Sequence, residues 1–321
     1  MRNTGSEDNT PIYSHNPYDS TKFPLLVLDV HRTVCKPFNE GFRVLHWHEE
    51  FQFIYIISGR VHFKIWEEEM DFGAGCCLFI NSNVMHHITQ KEDCRYHSFL
   101  IPPKMLCFFE GSLMEEREVQ SVVRNPLFAY FVMETDRADH RELLKKIEEL
   151  DKLYFLENRP AHWEYRLSVC LGELWLDFIE VTESIETYQK AGTKIQGNSL
   201  EKGRKPDAGI PGRSHQRIQA LISYIHTNYS RPISLQDIAD AASVSQTECL
   251  RCFRKYTGYS PYQYLLRYRL QVSTRLLKDR ESSITEIALQ IGFQSVSSYI
   301  SYYKKYYGKT PAQYRKGHYD D

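Results

Sequence analysis

Three features of this chain involve residues of types that do chemistry. Cys249-Leu250-Arg251-Cys252 has the CxxC spacing of redox and zinc sites. No second cysteine pair and no histidine pair lies near it at finger spacing, so both cysteines read as part of the buried stripe of a helix. His46, His48, Gln52, Trp66 and His86 form a second group. Imidazole, carboxamide and indole groups around the mouth of a small barrel can hydrogen-bond to a small polar molecule and stack on it. The third feature is an imbalance of charge. The 321 residues carry a net charge of −1, yet residues 213–321 hold 16 Lys and Arg against 8 Asp and Glu, leaving 24 against 33 elsewhere. A basic segment joined to an acidic one predicts a polyanionic partner for the basic part alone.

The length suits two or three domains. With 42% hydrophobic and 25% charged residues the chain has the balance of a soluble globular protein, which excludes a fibrous or wholly disordered one. No stretch approaches the ~18 consecutive apolar residues of a membrane span, and no membrane partner is expected. Residues 1–22 are polar and lack the apolar core of a signal peptide. The expectation is a cytoplasmic protein whose eight cysteines stay reduced.

Residues 1–22 read as a polar tail or arm, and a strand-like pattern follows from Phe23 to Pro103. FQFIYIISG (51–59) and RVHFKIW (60–66) meet at a turn, Ser58-Gly59-Arg60. Val61, Phe63 and Ile65 alternate with His62, Lys64 and Trp66, the period of two of a strand. CCLFI (76–80), MHHIT (85–89) and RYHSFLI (95–101) are further strands, with turns at Asp71–Gly75 and Asn81–Asn83. Short strands with regular turns predict a small barrel or sandwich. From residue 135 the period changes. Leu143, Ile147, Leu150 and Tyr154 mark one amphipathic helix, which Pro160 ends. Trp163, Leu167, Cys170, Leu174, Phe178, Val181, Ile185 and Tyr188 mark a second, long one. Two readings stay open for this pair: packing against the strands, or a seam that dimerises the chain. Residues 191–212, with five glycines and two prolines, read as a linker.

The basic segment contains a repeat. Ser234 caps a short helix, Ser245 caps the next, and Gly258 follows it. Ala239 must let the two helices cross closely, and Val244 plugs the turn between them, as in a helix-turn-helix. The layout returns 49 residues later, from Ile238 to Ile287. Ser283 and Glu286 form a capping box, and Ile291-Gly292-Phe293 repeats Ala242-Ser243-Val244. After one extra turn residue, Tyr299, Tyr303, Gly308 and Thr310-Pro311 stand for Cys249, Phe253, Gly258 and Ser260-Pro261. A helix over about 261–277 joins the copies. Two recognition helices on one connector fit successive major grooves, roughly 34 Å apart along one face of DNA.

On SLQDIADAASVS, LRCFRKYTGYSPYQYLLRYRL, ITEIALQIGF and YYKKYYGKTPAQYR, residues 213–316 resemble the DNA-binding domain of the AraC/XylS family of bacterial transcription regulators, over about a third of the chain. The resemblance implies that Gln246, Thr247, Leu250 and Arg251 face base edges of a double-stranded promoter operator. In the second copy it implies Gln294, Ser297, Ser298 and Ser301. Ser301 stands where relatives often carry a basic residue, and short hydroxyls read bases weakly. Arg254, Lys255, Lys304 and Lys305 are the implied phosphate contacts. It further implies a homodimer, a contact with RNA polymerase, and a sensor domain for an effector, often a sugar.

Gly41-x4-His46-Trp47-His48, then Gln52 and Gly59, and later Gly73-Ala74-Gly75 through His86, resemble the two motifs of the cupin superfamily. Cupin enzymes hold a divalent metal with histidines and a glutamate, and His46, His48 and His86 match three of those positions. Gln52 occupies the glutamate position, and Glu49 or Glu50 would serve only with altered geometry, since neighbours on a strand face opposite ways. The implied metal site is therefore degraded or absent, and no metal or other cofactor is expected.

The resulting expectation is a multidomain, non-enzymatic regulator. It has a polar tail (1–22), an all-β cupin-like sensor barrel (23–110), a helical dimerisation segment (111–190), a linker (191–212) and an all-α double helix-turn-helix (213–321). The effector pocket is expected at His46, His48, Gln52, Trp66 and His86. The rivals are a metal-dependent cupin enzyme fused to a DNA-targeting domain, and an architectural protein binding DNA without sequence preference.

Overall fold

A computed structural model describes residues 12–14, 16, 22–66, 68–90, 93–123, 125, 128–190, 208–209, 213–277 and 282–317. The chain divides into two compact units, Met1–Gly212 and Arg213–Asp321.

Among the described residues the first unit has twelve strands: β1 Ile12–Tyr13, β2 Leu26–His31, β3 Val34–Lys36, β4 His46–Trp47, β5 Phe51–Ser58, β6 Arg60–Ile65, β7 Glu68–Gly73, β8 Cys77–Ile80, β9 His86–Gln90, β10 Arg95–Ile101, β11 Tyr130–Met133 and β12 Ala208–Gly209. They form two sheets, of order β1-β4-β9-β6-β7 and β12-β11-β8-β5-β10-β2-β3. The helices of this unit are a short α1 (Gln120–Val123), α2 (Arg141–Tyr154) and α3 (Trp163–Lys190).

The alternation read in β6 holds from Val61 to Ile65, where Val61, Phe63 and Ile65 are buried and His62 and Lys64 half-buried, but Trp66, read on the face of His62 and Lys64, is buried past the end of the strand. The turn before it is not a hairpin. β5 pairs with β8 and β10, whereas β6 pairs with β7 and β9, so the chain changes sheets at Gly59. Gly59 has φ +73°, and a Cβ there would lie 2.1 Å from the carbonyl oxygen of Asp93. Only glycine makes this corner. Two further expectations are corrected. Asp71–Gly73, read as a turn, belongs to β7, whose pairing with β6 overrides the turn-forming residues. The segment 111–190, read as helical, contains β11, whose four buried residues extend the larger sheet beside β8.

Within the stretch read as a tail, β1 pairs in parallel with β4. A polar chain fixes it: Ser14 donates to Asn39, Asn39 to Asn16, and Asn16 to the buried Glu50 carboxylate at 2.6 Å. Residues 1–11 lie outside the described residues, as does the stretch read as a linker apart from 208–209.

α2 and α3 cover the larger sheet. Leu143, Ile147 and Leu150 of α2 and Trp163, Leu167, Leu171, Leu174, Trp175, Phe178 and Ile179 of α3 share one core with Phe51, Phe53, Phe79 and Phe131. The apolar stripe weighed as a dimer seam is therefore used by the barrel itself. The side chains of Ile185 and Tyr188 lie outside those described. The opposite face of α3 is open: Tyr165, Val169 and Leu176 are 75%, 49% and 52% exposed.

The second unit is helical: α4 Arg213–Asn228, α5 Leu235–Asp240, α6 Gln246–Thr257, α7 Pro261–Leu276, α8 Ile284–Gln290, α9 Val296–Tyr307 and α10 Pro311–Gly317. Each copy of the repeat is a capped pair. Ser234 with Asp237 and Ser283 with Glu286 form capping boxes on α5 and α8. Ser245 and Ser295 cap α6 and α9, and Gly258 and Gly308 close them in the left-handed region. The residue inserted in the second copy is Gln294. Both turns close alike, Val244 N–H donating to Ala239 and Phe293 N–H to Ala288. α7 packs against α5, α6, α8 and α9, so one connector braces both copies.

Candidate functional site

The second unit presents two similar surfaces. On α6, positions 246, 247, 250, 251, 254 and 255 recur at helical spacing, and all six side chains are exposed. On α9, Ser297, Ser298, Ser301, Lys304 and Lys305 are exposed, as is Gln294 in the preceding turn. The opposite faces are core: Cys249, Phe253, Tyr299 and Tyr303 are fully buried. Cys249 and Cys252 are free thiols. Burial pushes Cys249 up to about 11 and raises Cys252 as well, so both stay protonated at neutral pH, unlike a reactive or zinc-bound thiolate.

Arg251 is already engaged. Its Nε and Nη2 each lie 2.8 Å from the Glu248 carboxylate one turn earlier, and Arg217 Nη1 lies 3.4 Å from the same group. These hydrogen bonds hold the Glu248 carboxyl below its ordinary range. Gln246 donates to Gln236 of α5 at 2.8 Å. Both side chains that the sequence predicts to face bases are thus held by polar partners within the unit.

Several positioning residues had not been anticipated. Arg269 donates to the carbonyls of Tyr229 and Arg231, and Arg315 to those of Leu277 and Ser282. Each arginine anchors the loop that leads into one copy of the motif. Gln263 and Gln313 complete capping boxes with Ser260 and Thr310. That Ser/Thr-Pro-x-Gln spacing was legible in the sequence, whereas the long-range arginine contacts have no local signal.

In the first unit, His46, His48 and His86 come together. β4 and β9 are antiparallel neighbours with His46 opposite His86. The His46 and His86 ring centroids are 4.3 Å apart, and those of His48 and His86 5.1 Å. Burial lowers His46 to about 3 and also lowers His48, while His86 falls well below the ordinary imidazole range. All three rings are therefore neutral at pH 7. Gln52 is buried and donates to Ser98. Trp66 is buried just past β6 with φ 56°. The cavity beside His46 and Gln52, also lined by Asn39, Phe42, Tyr96 and Ser98, measures about 20 Å³. That is room for about one water, far below the roughly 300–1,000 Å³ of a small-molecule pocket.

Comparison with known proteins covers both units. Residues 238–317 match the model of a helix-turn-helix domain, and residues 38–149 match that of the AraC-like ligand binding domain. The chain is 29% identical over 278 residues to the HTH-type transcriptional regulator YdeC of Bacillus subtilis (strain 168), covering 86% of this chain and 87% of that protein. It is 32% identical over 120 residues to the HTH-type transcriptional regulator GbdR of Pseudomonas aeruginosa (strain UCBPP-PA14), of which it spans 33% while 37% of this chain is matched. A solved structure of an AraC-type DNA-binding-domain regulator from Chromobacterium violaceum is 32% identical, covering 32% of this chain and 92% of that one, with a TM-score of 0.31.

Proposed function

The chain belongs to the AraC family of DNA-binding transcription regulators, and from that premise we propose how it works: α6 and α9 enter two successive major grooves of a promoter operator, while the barrel senses a small-molecule effector. The observation that carries this reading is the matched pair of exposed rows, each following a serine-capped N-terminus and ending in two basic residues. Phosphates accept from the basic side chains, and base edges meet the polar ones.

The two copies divide the work. Gln246, Thr247, Leu250 and Arg251 supply specificity, because a guanidinium and a carboxamide can each make bidentate contacts to a base. Gln294, Ser297, Ser298 and Ser301 supply shorter, weaker donors, and Arg254, Lys255, Lys304 and Lys305 fix the register on the backbone. Arg251→Ala is expected to weaken operator binding roughly 5- to 150-fold and to relax preference at one base pair. The check is a binding profile over operator variants, and a profile unchanged in shape would remove Arg251 from the base-reading set. Glu248 bears on the same test, since it fixes the guanidinium fork before DNA arrives.

Lys304→Ala is expected to weaken all sequences alike and to reduce the slope of log K against log salt by about one. A loss confined to one sequence would make Lys304 a base contact instead. Competition between operator and random DNA separates this reading from the architectural one, for which the affinity ratio would be near unity.

The effector is a small molecule taken up by the barrel, with a sugar as one candidate class. A sugar-sized ligand at His46, His48, Gln52, Trp66 and His86 requires the barrel to open, because the cavity there holds only about one water. A second copy seats on the outer face of α3, where Tyr165, Val169, Gly172 and Leu176 recur every three or four residues and a Cβ on Gly172 would meet nothing within 4 Å. The regulator acts with RNA polymerase in the cytoplasm. No helix among the described residues is long and apolar enough to cross a membrane.

A further inference from the structure

The rows on α6 and α9 can read two grooves together only if the distance and twist between the two helices are fixed. One extra base pair between half-sites moves the second groove by roughly 3.4 Å and turns it by about 35° around the axis. The connector α7 meets the two copies differently on its different faces. Tyr262, Leu265 and Arg269, at the spacing of one helix face, line a cleft of about 670 Å³, with Asp237 of the first copy and Ser298 of the second among its walls. Arg267, two residues from both Leu265 and Arg269, lies off that face. Its guanidinium carbon is 4.3 Å from the ring centroid of Tyr259 and 4.6 Å from that of Tyr306. Each ring belongs to the C-terminal end of one recognition helix. Tyr259 follows Gly258, which closes α6, and its N–H donates to Thr257 Oγ1 at 3.2 Å. Tyr306 lies in the last turn of α9. One half-buried guanidinium is thus shared by aromatic rings from the two copies, and the ring quadrupoles attract its charge.

We propose that Arg267 is the positioning residue that sets the separation between α6 and α9, and so the spacing of half-sites that the chain accepts. The inference rests on the two-groove reading and adds to it the residue that fixes the register from one groove to the next. Arginine suits this task because its planar head stacks on aromatic faces, whereas a lysine ammonium is a strongly hydrated point charge. A shared cation resists splaying, since moving either copy outward parts the guanidinium from one ring. The cleft on the other face of α7 gives the copies space to shift once this link is removed. Arg267 acts through Tyr259 and Tyr306, so its loss leaves the bases read by each helix unchanged.

The test selects binding sites from a random double-stranded DNA library with the full chain and with its Arg267→Ala, Tyr306→Leu and Lys304→Ala variants. The unaltered chain is expected to recover two half-sites at one separation. Arg267→Ala and Tyr306→Leu are expected to recover the same half-sites spread over several separations. Lys304→Ala, which weakens binding without touching the clamp, is expected to keep the single separation. An inserted base pair should cost the unaltered chain at least as much as one mismatch, roughly 5- to 150-fold, and both clamp variants less than about 5-fold. Tyr306 is 38% exposed, so Tyr306→Leu carries the test where Arg267→Ala misfolds. A fall in melting temperature with the parental separation retained would leave Arg267 a role in stability alone and overturn the proposal. A spread of separations with Lys304→Ala would overturn it too, because weak binding by itself would then relax the spacing. If the unaltered chain recovers no half-sites, the two-groove reading falls and this proposal with it. If it recovers them and both clamp variants keep one separation, only the role of Arg267 falls.

Discussion

Phe178→Ala is expected to destabilise the first unit by about 3–5 kcal/mol, and by the same amount at every protein concentration. Phe178 is fully buried in α3, and its ring centroid lies 4.4 Å from that of Phe79, 5.5 Å from Phe53, 5.8 Å from Phe131 and 5.6 Å from Trp175. These rings come from β5, β8, β11 and α3, so truncation opens a cavity where the helix meets the larger sheet. For a unit of about 200 residues the loss corresponds to a fall in melting temperature of roughly 6–20 °C. Concentration independence is the informative part. A residue in a dimer seam contributes only where dimers form, so the effect of its loss is absent at low protein concentration and grows through the dimerisation range. A destabilisation by Phe178→Ala that appeared only at concentrations where dimers form would return this face of α3 to the dimer. The contrast is Leu176 on the outer face, where a charged replacement should lower melting only in the concentration range in which dimers form.

The two helices show what periodicity can and cannot tell. A repeat of three and four residues at Leu143, Ile147 and Leu150 establishes an amphipathic helix. It does not say what the apolar face meets, because a barrel and a second copy ask for the same side chains. The added burial of Leu171 and Trp175 widens the face of α3 beyond a narrow seam, as a helix lying on a sheet requires. Strands were legible from alternation at β6, and as continuous apolar runs beside turn residues at the buried β5, β8 and β10. The four residues of β11 are all buried and carry no alternation. β1 has two residues and is held by side-chain amides, a pattern with no sequence period.

The helix-turn-helix repeat was more legible because its signals are local. Caps, crossing alanines and closing glycines act within four residues of one another. The ion pair of Arg251 with Glu248 is also local, at a spacing of three, and sequence reasoning weighed Arg251 without it. In the barrel, the histidine types and positions were visible, but their shared orientation was not. It depends on the backbone carbonyls of Val44, Glu50 and Val84, which lie 2.9 Å from the three Nδ1 atoms and whose placement follows from the fold.

Gly292→Ala carries the largest expected effect on DNA recognition. Gly292 has φ +85° in the turn between α8 and α9, and an added Cβ would lie 2.8 Å from the carbonyl oxygens of Tyr229 and Ser230 and from Arg269 Nη2. Left-handed strain and the clash with fixed backbone together cost about 2–5 kcal/mol. The methyl also pushes on Arg269, which holds the Tyr229–Arg231 loop leading into α5. Damage in the second copy is therefore passed toward the first through α7. The repeat supplies its own control, since Ser243 stands at the equivalent turn position with φ 52° and an exposed side chain. Ser243→Ala adds no atom beyond the Cβ already present and is expected to change stability by no more than about 0.5 kcal/mol. Denaturant titration of both variants measures the stability difference, and footprinting on an operator measures its functional consequence. With α9 displaced, protection should shrink from two adjacent half-turns to one, and affinity for every sequence should fall through loss of the Lys304 and Lys305 contacts. A Gly292→Ala protein with parental stability and a full two-groove footprint would mean that the second copy does not need this turn, and the symmetry between α6 and α9 would lose its functional meaning.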